Sequence, residues 1–215
     1  MPKSSPSIDM TPMVDLAFLL VTFFMLTASF RTPEPVEVDV PSSISDVVIP
    51  ENYVVVSIDK GGRVFFNMSD AEARRELLGQ MSSKYKIKFN EEQINKFSFM
   101  TSFGCSMQEL PAYLDMEAEK RKSFNTIGIP TDSTNNQLKD WIYYGNWAAL
   151  NSGKTAFEEA KLKGEDPDAN DFKPKFILRV DGKALYVHAL NVINTFRDLE
   201  LNNLNFITSM EMAPL

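Results

Sequence analysis

Apolar positions fall into two kinds of pattern along this chain. Residues 10–30 form an apolar run of 21 positions whose only charge is Asp15. As a helix the run rises ~32 Å at ~1.5 Å per residue, against ~30 Å of hydrocarbon in a bilayer, so it predicts one membrane-crossing helix. Farther on the pattern shortens. Residues 53–59 and 63–67 are β-branched or aromatic runs separated by Lys60-Gly61-Gly62, a hairpin signal because glycine accepts the positive φ of a tight turn. Ser69, with Glu72 three positions on, predicts a capped helix running to about residue 81. Near the end, residues 175–180 read as a strand and 205–210 as a last strand. Between them 188–199 is an amphipathic helix through Leu190, Val192, Ile193, Phe196 and Leu199. The pattern therefore predicts an α+β protein: an N-terminal transmembrane helix, then a two-layer sandwich with two helices on one face of an antiparallel-rich sheet.

The stretch between the two halves of the sandwich carries helical patches at 91–99, 107–122, 138–150 and 155–163, and a capping-box pair Ser106/Glu109. Loops of this length are rarely structureless, so residues 82–172 read as a mainly helical insertion in a domain made of 51–81 and 173–215. Residues 1–9 form a short tail and 31–50 a linker, in which Pro33 and Pro35 stop the helix. Within the linker the strand-like 37–41 is either a plain extended connection or a strand that pairs with a second copy. The insertion concentrates Trp141, Tyr143, Tyr144 and Trp147 in seven residues. Such a cluster is either core or a candidate partner interface, because aromatic residues dominate both.

Charge and composition narrow the chemistry. A formal net charge of -7 without a Lys/Arg cluster argues against nucleic acid as a partner and for protein partners. Cys105 and His188 are the only cysteine and histidine, so an intrachain disulfide, a Cys-rich or His-rich metal site and a paired-His mechanism are excluded. Nothing places an acid or an oxyanion hole around these two residues, and no enzymatic activity or cofactor is expected. The Asp-rich 164–171 lacks the spacing and closing Glu of an EF-hand and is interrupted by Pro167, so it reads as a solvated turn.

Asp15 itself has two readings. An ionised carboxylate at the centre of a membrane helix costs ~2.5 to 3.5 kcal/mol on insertion scales, so it should be absent or useful. Thr11, Asp15, Thr22 and Ser29 fall along one side of the helix, a polar seam suited to packing against other helices rather than lipid. In the other reading Thr11 caps the helix, Pro12 is its first residue, and Asp15 sits in the first turn where the helix dipole favours negative charge. A cleavable signal peptide is disfavoured: Lys3 is the sole basic side chain before the run, and Asp15 interrupts it.

IDMTPMVDLAFLLVTFFMLTASF followed by VEVDVPSS resembles the ExbD/TolR family, through Thr11, Pro12 and Asp15 above all; YVVVSIDKGGRVFFN and KFILRVDGKALYVHALNVINTFRDLELNNLNFIT resemble it as well. The resemblance covers residues 8–81 and 175–210, and the insertion is where the chain departs from the compact family pattern. It implies a single-span subunit of a proton-driven motor in the bacterial inner membrane, with a cytoplasmic N-terminus, a periplasmic domain and Asp15 as the proton-carrying acid. It also implies a homodimer whose spans sit inside a ring of a multi-span partner like ExbB, TolQ or MotA, passing work through a TonB-like protein to the outer membrane. TolR-like, gliding and secretion motors share the same span. A passive anchored module, with the insertion gripping peptidoglycan or a protein, is the reading from a different class.

Overall fold

The computed structural model describes residues 10–27, 42–43, 52–117, 120–121, 124, 126–132, 134–164, 166–201, 204–206 and 209–210. The chain divides into two units, Met1–Pro33 and Glu34–Leu215.

The first unit contains α1, Thr11–Thr27, of 17 residues. It rises about 25 Å at ~1.5 Å per residue, against the ~32 Å expected from residues 10–30. Residues 28–30 lie outside the described ones, and among the described residues no helix is long and apolar enough to cross a membrane.

The second unit is built on a four-stranded sheet of order β3-β2-β6-β7, with β2 Tyr53–Ile58, β3 Val64–Met68, β6 Lys175–Val180 and β7 Leu204–Phe206. The fold is α+β, but the sheet is not antiparallel-rich. Only β2 and β3 pair antiparallel; β2 with β6 and β6 with β7 are parallel. Connectivity accounts for two of these pairings: a short turn joins β2 to β3 and reverses the chain, and a helical crossover, which a parallel pair requires, joins β6 to β7. Helix α6, Tyr186–Asp198, makes that crossover between β6 and β7. The expected last strand of 205–210 is two pieces, because β8, Ser209–Met210, leaves the sheet to pair in parallel with β1, Ser42–Ser43. The strand-like 37–41 lies outside the described residues.

Alternation along the strands decides which face is covered. Val54, Val56, Ile58, Val64, Phe66, Met68, Phe176 and Leu178 share one buried face. Helix α2, Ala71–Tyr85, packs Ala73, Leu77, Leu78 and Met81 into the same core. Its N-cap is Asp70 rather than Ser69: Asp70 accepts the Glu72 N–H, while Ser69 Oγ accepts the Tyr53 N–H at 3.0 Å.

Residues 82–172 supply α3 Glu91–Ser98, α4 Leu110–Asp115, a short β4–β5 hairpin (Thr131–Asp132, Asn135–Asn136) and α5 Gln137–Leu162. The expected patches at 138–150 and 155–163 are one helix of 26 residues, capped by Asn136, whose side chain accepts the Lys139 N–H. Of the expected 107–122 helix, α4 is six residues. The Glu109 carboxylate does reach back to the Ser106 N–H and Oγ, but residues 107–109 form a turn ahead of the helix. Leu138, Trp141, Ile142, Ala148 and Ala149 of α5 and Val192 and Phe196 of α6 join the core that α2 covers, so three helices rather than two lie on that face.

Candidate functional site

Asp15 is the one acid of α1. The helix begins at Thr11 itself, with the Val14 N–H on the Met10 carbonyl at 3.0 Å, and no acid falls in its first turn. Asp15 therefore stands one position past the first turn, where the pull of the helix dipole on a negative charge has begun to weaken. Side chains 12–25 are all exposed, Leu16 and Phe18 at 69% each. An apolar helix bare on every side calls for apolar surroundings or other helices. Of the polar seam, Thr22 uses its hydroxyl on its own helix, donating to the Phe18 and Leu19 carbonyls at 2.9 and 3.0 Å. It brings no outward hydrogen bond to Asp15. Pro12 lies in the first turn, as its fixed φ suits. Ser29 is outside the described residues, as is the side chain of Thr11.

In the second unit the aromatic cluster of α5 splits by helix face. Trp141 is fully buried and meets Phe103 at 4.7 Å, Phe66 at 6.0 Å and Phe97 at 6.0 Å between ring centroids. It is a core residue and leaves the candidate interface. Tyr143 and Trp147, one turn apart, are 58% and 44% exposed. Tyr144 is half-buried, in edge contact with Tyr143 and under the Lys84 ammonium. Beside them Asp140 takes the Tyr85 hydroxyl and Lys84. Burial first, then the Asp140 hydrogen bond, pushes the Tyr85 phenol well above its ordinary range, so it stays a donor.

The β2–β3 turn is locked by a residue that sequence reading passed over. Asp59, 3% exposed, accepts from the Gly61 and Arg63 N–H groups on Oδ1 and from Arg63 Nε at 2.7 Å and Nη2 at 2.6 Å on Oδ2. Gly62 takes φ +79°, and a Cβ there would meet the ring of His188, which packs on the turn. Cys105 is fully buried in the core that the helices cover. A hairpin prop and a core thiol account for these two residues, and among the described residues no three His, Cys, Asp or Glu side chains are grouped to hold a metal. The signal that could have found Asp59 is its place two residues before a Gly-Gly turn, where a carboxylate bonds its own backbone.

A family model described as biopolymer transport protein ExbD/TolR matches residues 1–211. A curated relative, "Biopolymer transport protein ExbD" of Aquifex aeolicus (strain VF5), is 24% identical over 112 residues, which cover 47% of this chain and 85% of the relative. No solved structure matches the chain. With the match running through both units, the chain belongs to the ExbD/TolR family of biopolymer transport proteins.

Proposed function

We propose that the chain is a subunit of a proton-motive-force-driven motor of the bacterial inner membrane, with Asp15 as the residue that takes and releases the proton. The observation that carries this is a lone carboxylate beyond the first turn of a helix whose other described side chains are apolar or satisfied within it, in a chain of the ExbD/TolR family. In this reading residues 10–30 span the membrane, the N-terminus is cytoplasmic and the second unit is periplasmic. Two copies place their spans inside a ring of an ExbB/TolQ-like multi-span subunit, which supplies the apolar surroundings α1 calls for. Protonation makes Asp15 neutral and lets the pair advance against the ring; release to the other side resets it. Each unit charge crossing the membrane makes ~2.3 kcal/mol available per 100 mV, so sustained work takes many steps. The work passes to a TonB-like protein for transport across the outer membrane.

Replacing Asp15 by Asn keeps shape and hydrogen bonding and removes the titratable proton. The ring partner should still co-purify with the variant while energy-dependent uptake of a chelated-iron source stops, and Asp15→Glu should retain more uptake than Asp15→Asn. Uptake by Asp15→Asn close to that of the unmodified protein sinks the reading.

A further inference from the structure

Three loops of the second unit meet at one end of its sheet. The β2–β3 turn at 59–63 lies beside the β6–α6 corner at 181–187, because the Asp181 N–H bonds the Ile58 carbonyl at 2.9 Å and His188 packs on Gly62. The loop at 126–128 closes on the other side of the turn. Arg63 Nη1 donates to the Thr126 carbonyl at 3.4 Å, and the Ile129 N–H bonds the Val64 carbonyl at 2.9 Å. At ~4.8 Å between neighbouring strands the three loops form a strip about 15 Å long.

The strip is apolar at its tips. Ile127, Leu185, Tyr186 and Val187 are each more than half exposed. Three of them are consecutive, a run that a water-facing surface carries only for a function. The outward charge is of one sign. Asp59 and Asp181, the acids of these loops, are buried: Asp59 is held by Arg63 and the N–H groups of its own turn, and Asp181 Oδ1 accepts the Lys183 N–H at 2.9 Å. Lys60 and Lys183 stand exposed, with no ion pair among the described residues.

We propose that this end of the second unit docks on the bilayer surface, with Ile127, Leu185, Tyr186 and Val187 entering the boundary of the acyl chains and Lys60 and Lys183 on anionic headgroups. Apolar tips ringed by lysines, with the carboxylates turned inward, match a lipid–water boundary, and the ring of Tyr186 suits the headgroup level. Lysine is depleted from protein–protein interfaces, which makes a second copy the poorer occupant. The net charge of -7 lies outside these loops, and its repulsion from an anionic surface fades within ~8 Å at physiological salt, so it turns this end toward the lipid. Residues 28–52 are all that separates α1 from β2, so lipid stays at high effective concentration. Such docking rests on the span proposed for residues 10–30, which supplies the tether but makes none of the contacts.

The test places the full chain, its Ile, Leu and Val methyl groups labelled, in nanodiscs of phosphatidylcholine mixed with phosphatidylglycerol, and adds a lipid with a nitroxide on its acyl chain. Signals are assigned by their loss in Ile127→Val, Val187→Ile, Leu19→Met and Leu162→Met. Leu19 in α1 reports the span. Leu162 is the exposed control away from the strip, on the helix whose Gly153 lies by Asn52 at the start of β2. Ile127 and Val187 should broaden together with Leu19 while Leu162 stays sharp. Lys60→Gln/Lys183→Gln should lower the ratio of docked to free unit roughly thirtyfold, the combined worth of two lysines at an anionic surface, at an unchanged melting temperature. Broadening at Leu19 alone overturns the docking and leaves the span standing; no broadening at any site overturns both. Broadening at Leu162 equal to that at Val187, or broadening that the lysine variant leaves unchanged, also overturns the docking. So does a shift of the Ile127 and Val187 signals that grows with protein concentration in micelles free of nitroxide, which assigns this end to a second copy.

Discussion

Trp141 and Trp147 lie less than two turns apart on α5, yet one is fully buried and the other 44% exposed. Truncating Trp141 to Ala removes the ring that joins Phe66, Phe97 and Phe103, and should cost ~3 to 5 kcal/mol, read as a shift in denaturant midpoint. Trp147→Ala should cost ~1 kcal/mol or less, since little of its surroundings collapses. If a partner docks on Tyr143 and Trp147, its pull-down is lost in Trp147→Ala at near-normal stability. Cys105 gives a test by pH. Burial, with Glu109 adding to it, pushes the thiol up to about 12, while the same thiol in the unfolded chain ionises near ~8.5. The unfolded state then holds fewer protons between those values. The contribution of Cys105 is therefore whole below the ordinary thiol range and is lost as pH rises toward 12. Melting temperature should fall less steeply over that alkaline range in Cys105→Ala than in the unmodified protein.

Among the elements, two helical glycines should respond oppositely to the same change. Gly153 in α5 lies against the Phe172 carbonyl, which a Cβ would strike, and Asn52 clamps the same spot by donating to the Ala149 and Phe172 carbonyls. Gly153→Ala should destabilise by ~1 to 3 kcal/mol through forced displacement of backbone. Gly79 in α2 has nothing within 4 Å of an added Cβ. Gly79→Ala should stabilise by ~0.5 to 1 kcal/mol by lowering the entropy lost on folding. Thermal melts of the two variants check both signs. The elements that the sequence located well are those whose signals are local: β2, β3 and β6, marked by β-branched runs and Gly-Gly. The end of α2 was placed about one turn early, because Ser82, Ser83 and Lys84 have no apolar period of their own. They stay helical up to Lys86, which caps the helix with φ 56°.

At the scale of the molecule, residues 82–172 do not stand apart. Phe97, Phe103, Leu110, Leu138 and Trp141 belong to the same buried cluster as Val54, Phe66 and Phe176. The outer edge of β3 is also closed by that segment, through Phe103 and Ile129. Deleting 82–172 and bridging the gap should therefore unfold the second unit, seen as loss of cooperative melting and of resistance to protease, rather than leave a smaller working domain. A stable, protease-resistant deletion product overturns this view of the core.

Features that depend on neighbours along the chain are legible without any fold: the apolar run with Asp15 inside it, the hairpin at Gly61-Gly62, the β6–α6–β7 order and, through the Thr11-Pro12-Asp15 pattern, the family. The remainder rests on contacts between distant segments. Whether Trp141 is core or interface turned on which face of a 26-residue helix meets Phe66 and Phe97, and composition is the same either way. The parallel pairing of β2 with β6 joins residues more than a hundred positions apart, and no local pattern encodes that register.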